Sequence, residues 1–332
     1  VVEDGRTIRS LIIASQTDIH AKYHGVVPEV ASRAHVEQIL PVVTEALQAA
    51  GGDPPDGVAV SNRPGLSGAL AVGVSFAKAY AWARELPFVA VDHMHAHAYA
   101  ALLAREIAYP YLVLLVSGGH TMLGISHGPD ELEVLGTTVD DACGEAYDKV
   151  SAFIGASYPG GPVVDRLAAA GDPRACSFPQ PRLNHAHSPY DMSFSGLKTA
   201  VVHQLDRFWN DGYPRSREHL AAAFQDAAIG QLMDRVTRAM DATGIRRIVA
   251  GGGVAANSEL RRRLRALALP GQLPGASPGA GCDVQVVLPP PELCVDNGAM
   301  VAGLGYQLLS RGERSSWDIG VSARVPAFRA KK

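Results

Sequence analysis

The sequence predicts an α/β protein, and three observations carry that expectation. Short apolar, β-branched runs alternate with helical stretches along most of the 332 residues. The run Tyr-Leu-Val-Leu-Leu-Val at 111–116 reads as a strand, and Arg-Ile-Val-Ala at 247–250 as a second. Between such runs lie segments with helical spacing that end on glycine, as elements packed against a sheet do.

Taken in order, residues 10–15 read as a strand followed by a polar loop through Tyr23 and Gly25. Residues 37–50 place Ile39, Leu40, Val43 and Leu47 at helical spacing and stop at Gly51-Gly52. Residues 57–61 and 88–91 read as short buried strands separated by a small-residue helix over 69–84. Two stretches break the rhythm. Residues 177–193, rich in proline, histidine and asparagine, predict a long loop, and residues 270–281 a low-complexity surface insertion. There is no tandem repeat.

Bulk properties narrow the class. A hydrophobic content of 47% supports substantial cores, and a net charge of −3 excludes a strongly basic, histone-like mode of binding. The four cysteines, at 143, 176, 282 and 294, form no Cys-x-x-Cys pair, which argues for a reducing compartment and against a thiolate zinc site. No apolar run is long enough for a membrane span.

His93-Met94-His95-Ala96-His97 follows the run at 88–91, with Asp92 as a plausible helix N-cap. On a helix His93 and His97 are four residues apart and share a face that can hold one metal ion. His95 points about 200° away and is not expected to join them. The glutamate of a His-Glu-x-x-His protease is absent, so the pair reads as a metal site without protease chemistry.

Two glycine loops follow strands. Val116-Ser117-Gly118-Gly119-His120 lets backbone amides approach an anion, and Gly251-Gly252-Gly253 with Asn257 opens a helix near Ser258. Neither is a P-loop or a dinucleotide fingerprint. Asp141, Glu145 and Asp148 have the spacing of one helix face, and Asp165 lies beyond a Tyr-Pro-Gly-Gly-Pro turn that contains Gly161. Asp296, at the start of the C-terminal helix, reads as an N-cap by default and also suits a third metal ligand.

Together these segments resemble the tRNA N6-adenosine threonylcarbamoyltransferases. The resemblance rests on Gly-Val-Val-Pro-Glu at 25–29, Pro-Gly-Leu at 64–66, His-x-x-x-His at 93–97 and Ser-Gly-Gly-His-Thr at 117–121. It continues in Asp-Asp-Ala-x-Gly-Glu-Ala at 140–146, Tyr-Pro-Gly-Gly-Pro at 158–162 and Ser-Phe-Ser-Gly-Leu-Lys-Thr at 193–199. Gly-Gly-Val-Ala-Ala-Asn at 252–257 and Asp-Asn-Gly-Ala-Met at 296–300 complete it in family order.

The resemblance implies an actin-like ATPase (ASKHA) fold of two lobes, residues 1–108 with 298–325 and residues 109–297, around an interlobe active-site cleft. It implies transfer of threonylcarbamoyl from threonylcarbamoyl-AMP to N6 of the adenosine 3′ of the anticodon. By motif position His93, His97 and Asp296 would hold one divalent metal, Fe(II) favoured over Zn(II). Leu115, Val116, Ser117, Gly118 and Gly119 would carry the adenylate (or ATP or ADP), with Asp148, Gly161, Asp165 and Asn257 on its other polar groups. Asp148 and His120 are candidate bases. The expected partners are tRNA, a TsaB-like paralogous subunit and a TsaE-like ATPase, in the cytoplasm, with an organelle left open. Arg261-Arg262-Arg263 with Arg265 is the densest basic cluster and a candidate tRNA contact.

The chain departs from the family pattern at three points. The family's opening strand and its Glu-Thr-Ser-Cys-Asp-like phosphate loop are expected to precede Val1. Arg63 stands where a glycine is usual. Leu115 replaces a tyrosine of archaeal and eukaryotic relatives and, with His120, points to the bacterial or organellar branch. Competing readings are a non-catalytic actin-like scaffold and a metalloprotease, the latter opposed by the missing glutamate.

Overall fold

A computed structural model describes residues 1–23, 25–179, 187–269 and 284–324. The chain opens with a hairpin of β1 (Val2–Glu3) and β2 (Thr7–Ile8), then a short helix α1 (Thr17–Ala21) and a long helix α2 (Pro28–Ala49). Next come β3 (Val58–Arg63), α3 (Ser67–Ala83), β4 (Phe88–Asp92) and α4 (His93–Ala104), with β3 and β4 paired in parallel. The central part holds β5 (Tyr111–Val116), β6 (Thr121–Gly128), β7 (Glu131–Thr137), α5 (Cys143–Phe153) and α6 (Gly160–Ala168). Then follow α7 (Ser195–Phe208), α8 (Arg217–Thr243), β8 (Arg247–Gly251), α9 (Ser258–Ala266) and β9 (Gln285–Val287). The described chain ends with α10 (Pro291–Cys294), α11 (Gly298–Ser310) and an irregular segment.

The larger sheet runs β7-β6-β5-β8-β9, with β5 parallel to β8 and antiparallel to β6. Every residue of β5 is buried, and the alternation of a strand divides them between two cores. Leu112, Leu114 and Val116 join one core with α5, α7, α8 and α9. Tyr111, Val113 and Leu115 join the other with α4 and α11. A sheet covered on both faces explains the uninterrupted apolar run that marks β5 in the sequence.

Several expectations hold and several shift. The strand at 111–116 is found as expected, and 247–250 is lengthened by Gly251. The helix expected over 37–50 begins at Pro28, because proline at the first helical position costs no internal hydrogen bond. The strand expected at 10–15 is absent. Arg9 N and Ser10 N both donate to Val1 O, and Ser10 Oγ donates to Ala46 O at 2.7 Å, so the stretch is pinned at one end without a partner strand. Of the loop expected at 177–193, residues 180–186 lie outside the described residues, as does the whole insertion at 270–281. No helix among the described residues is long and apolar enough to cross a membrane.

Candidate functional site

Asp92 caps α4 as the sequence suggests, its carboxylate accepting the Met94 N–H at 2.8 Å. The cap starts the helix on His93, so His93 and His97 lie one turn apart with ring centroids 4.5 Å from each other. Asp296 is not the N-cap of α11. Asn297 takes that role, accepting the Met300 N–H at 3.0 Å, and its amide also ties back to Val295 O. The displacement by one residue leaves the Asp296 carboxylate without a capping duty. Its Oδ1 lies 3.1 Å from His97 Nε2 and 3.4 Å from His93 Nε2.

One donor atom from each residue falls within 4.8 Å of the others, the spacing a single small cation requires. The three donors fit a metal chemically as well as geometrically. His97 is 4% exposed while the Asp296 side chain is 78% exposed, so the cluster has a dry floor and an open mouth. Burial lowers the His97 imidazole below its ordinary value, against the opposing hydrogen bond that Asp296 accepts from it. At His93 burial also pulls down, but the hydrogen bond and charge of Asp296 prevail and hold it raised. The dry floor of the cluster acts to raise the Asp296 carboxyl where it meets the rings, yet its hydrogen bonds with the two imidazoles outweigh that and hold it far below the carboxylate range. His97 and Asp296 are thus held toward the neutral and ionised forms that coordinate, and His93 gives up its proton as a metal binds. His97 Nδ1 is buried and meets no hydrogen-bond partner among the described residues. His95 stands apart from the cluster, in the field of Asp92, Asp130 and Arg63.

The first glycine loop closes on itself: Ser117 N donates to His120 O at 2.7 Å, and His120 N donates to Ser117 Oγ at 3.1 Å. Gly118 and Gly119 form its tip, where an added Cβ would meet nothing within 4 Å. The loop rests on the start of α5, where a Cβ at Gly144 would lie 2.6 Å from Ser117 O. The second loop packs beside it, since Gly252, at φ +85°, would place a Cβ 2.4 Å from Val116 O. Leu115 and Val116 bury their side chains in the two cores, so only their main chain is available to a ligand. Burial, then the charges of His93 and His97, lower His120, which lies within the electrostatic reach of the histidine pair.

The other expected ligand contacts form two hydrogen-bonded groups. Asp148 Oδ1 accepts the Gly160 N–H at 2.7 Å, next to Gly161 at the start of α6. Burial raises Asp148 above the ordinary carboxylate value, the Gly160 N–H opposing it and Glu145 reinforcing it. Asp165 accepts from Ser258 N at 3.0 Å and Asn257 Nδ2 at 3.1 Å, tying α6 to α9. Asn257 is also the N-cap of α9 and donates to Gln225 Oε1 at 2.7 Å. Gln225 lacks any sequence signal, because it sits inside the long buried helix α8.

Two charge assignments change. Asp141 precedes α5 rather than sharing a face with Glu145 and Asp148, and it pairs with Lys198. The arginine run is largely engaged within the chain. Arg262 and Arg263 bind Glu259, Arg263 also binds Asp226, and Arg261 donates to the Ala255 and Pro289 carbonyls. Arg265, the fourth arginine of the cluster, is exposed.

The architecture is similar to that of two solved HypF structures. One is the full-length protein in its phosphate- and nucleotide-bound form, with TM-score 0.56 and 16% identity over 82% of this chain and 49% of that one. The other is from T. kodakarensis, with TM-score 0.57 and 13% identity over 82% of this chain and 44% of that one. The chain thus spans about half the length of each. Fold and site together define a mixed α/β protein of HypF-like architecture that carries a two-histidine, one-carboxylate cluster.

Sequence comparison narrows the class. Residues 7–303 match the profile of the family described as TsaD, tRNA N6-adenosine threonylcarbamoyltransferase. A protein of that name from Treponema denticola is 48% identical over 100% of this chain and 94% of its own. Those of Treponema pallidum and of Geobacter sp. strain M21 are 47% and 45% identical, each over 90% of its own length. The chain belongs to the tRNA N6-adenosine threonylcarbamoyltransferase family.

Proposed function

We propose that this protein transfers the threonylcarbamoyl group of threonylcarbamoyl-AMP to N6 of the adenosine 3′ of the anticodon, in tRNAs that read codons beginning with A. The observation that carries the reading is the convergence of His93, His97 and Asp296 in a chain of this family. The amides of Gly118 and Gly119 hold the adenylate phosphate at a glycine tip with no side chain in the way, and Ser117, its own N–H on His120 O, closes the turn that presents them. The main chain of Leu115 and Val116 supports that loop. Asp148, Gly161, Asp165 and Asn257 face the remaining polar groups of the adenylate. Asp148, with its raised carboxyl, and His120 are the candidates to take the proton lost by the attacking amine.

One divalent ion, Fe(II) or Zn(II), bound by His93, His97 and Asp296 would supply Lewis acidity to oxygen atoms of the adenylate. What the chain's own residues contribute is position: α4 and the segment before α11 fix the three donors, and the turn at 117–120 fixes the phosphate amides. The two lobes are residues 1–108 with 298–325 and residues 109–297, and the adenylate lies in the cleft between them.

Partners complete the reading. A recess of about 460 Å³ between α2 and α3 is lined by Leu40, Val43, Leu47, Phe76 and Tyr80. Leu40 and, one turn earlier on α2, Val36 stand 62% and 63% exposed, an apolar face suited to a TsaB-like paralogous subunit. A TsaE-like ATPase and a cytoplasmic location complete the assignment. The test is incubation of the protein and these partners with threonylcarbamoyl-AMP and unmodified tRNA, followed by mass spectrometry of the digested nucleosides. N6-threonylcarbamoyladenosine is expected, and its absence with active partners overturns the reading.

A further inference from the structure

Two motifs have no role in the site above: Asp-Asp-Ala-x-Gly-Glu-Ala at 140–146 and Ser-Phe-Ser-Gly-Leu-Lys-Thr at 193–199. The structure brings them together. The Asp140 carboxylate accepts from Ser193 and Ser195 hydroxyls and from the Phe194 and Ser195 amides, capping α7. Asp141 pairs with Lys198 on that helix. Beyond this seam α5 and α7 diverge around a recess of about 290 Å³, lined by Lys149, Phe153, Lys198, Thr199, Val202 and His203. Its chemistry is cationic and aromatic. The Phe153 ring is 43% exposed, and Lys149 is held only loosely by Glu145, at 3.6 Å.

We infer that this recess binds a nucleotide of the substrate RNA flanking the reacting adenosine, its base on Phe153 and its phosphate on Lys149 and Lys198. The inference rests on the proposed transfer to tRNA and names a contact that reading leaves open. Position supports it. Helix α5 sets Gly144, its second residue, against the Ser117–Gly118 loop, carries Asp148, assigned above to the adenylate, and ends at Phe153. The recess is thus about 14 Å along the axis from the phosphate loop, at roughly 1.5 Å per residue, within a few nucleotides of the reacting base. Single-stranded nucleic acid is held by this pairing of cationic groups with an aromatic platform. Lys149 and Lys198 each already face a carboxylate, which aims the ammonium groups and can be exchanged for phosphate oxygens.

The experiment uses a fluorescently labelled anticodon stem-loop RNA and the full chain. Anisotropy gives Kd over a range of salt for the parent, Phe153→Ala and Lys149→Gln, and calorimetry gives ADP affinity for each. Phe153→Ala is expected to weaken RNA binding by about 5- to 100-fold. Lys149→Gln is expected to reduce the slope of log K against log salt by about 0.7–0.9. ADP affinity stays within twofold in both, which separates a lost RNA contact from a damaged fold. RNA affinities and slopes equal to the parent's would overturn the recess while leaving the transfer reading intact. A parent chain that binds no RNA would overturn both.

Discussion

Two glycine-to-alanine substitutions separate a loop that cradles a phosphate from one that merely turns. At Gly118 a new methyl meets nothing within 4 Å and points into open space, so the fold should lose no stability. If adenylate oxygens approach that tip, the methyl holds them off, and affinity should fall tenfold or more, about 1.4 kcal/mol per decade. At Gly144 the methyl lies 2.6 Å from Ser117 O and 2.8 Å from Gly118 N and Cα, where ordinary contact begins at 3.4 Å. Those atoms are backbone and must move by about 0.6–0.8 Å, costing about 1–3 kcal/mol. Both stability and ligand affinity should therefore fall in Gly144→Ala, and the transfer rate by about 10- to 100-fold. The assays are ADP binding by calorimetry and thermal unfolding. A Gly118→Ala variant that binds ADP as the parent does would refute the placement of the phosphate at this loop.

Three further outcomes follow from particular contacts. Burial acts against ionisation of Asp140, but its hydrogen bonds to Ser193 and Ser195 prevail and hold the carboxyl below its ordinary value. Its contribution is present above the unfolded value of about 3.9 and is lost as pH falls below it. Asp140→Asn should cost about 1–2 kcal/mol at neutral pH and flatten the acid limb of a Tm–pH profile; an unchanged limb would count against this. Gln231 clamps Ser193 with two hydrogen bonds, accepting from its N at 2.7 Å and donating to its O at 2.9 Å. Gln231→Ala leaves both groups buried without partners and should lower urea stability by about 1–3 kcal/mol. Leu40→Asp, at an exposed position of the α2–α3 recess, should change Tm little yet weaken association with a TsaB-like subunit by more than tenfold, measured by calorimetry; parental affinity would move that partner elsewhere.

Much of the fold was legible because burial on both faces writes itself as an unbroken run, as in β5. Strands β6 and β7 went unread because Gly124, Ser126 and Gly128 break the pattern, and the ladder absorbs the irregularity with register shifts. The 27-residue helix α8 went unread although its ends are marked, with Ser216 accepting the His219 N–H and Gly244 left-handed at φ 70°. The run at 10–15 failed for the opposite reason: a strand pattern needs an edge to join, and none is offered there. At the site, a helical period sufficed for His93 and His97. Asp296 suited a third ligand by residue type but read as an N-cap by default, and family position joined it to the pair, because its partners lie about 200 residues away. The one-residue shift of the α11 cap to Asn297, which frees that carboxylate, is a matter of backbone geometry that composition does not encode.

The most direct test of the metal centre is elemental analysis of anaerobically purified protein, with Asp296→Ala and His97→Ala purified in parallel. The account predicts about one Fe(II) or Zn(II) per parent chain and less than a tenth of that in either variant. A parent without bound metal, or variants that retain it in equal measure, would contradict the assignment of His93, His97 and Asp296.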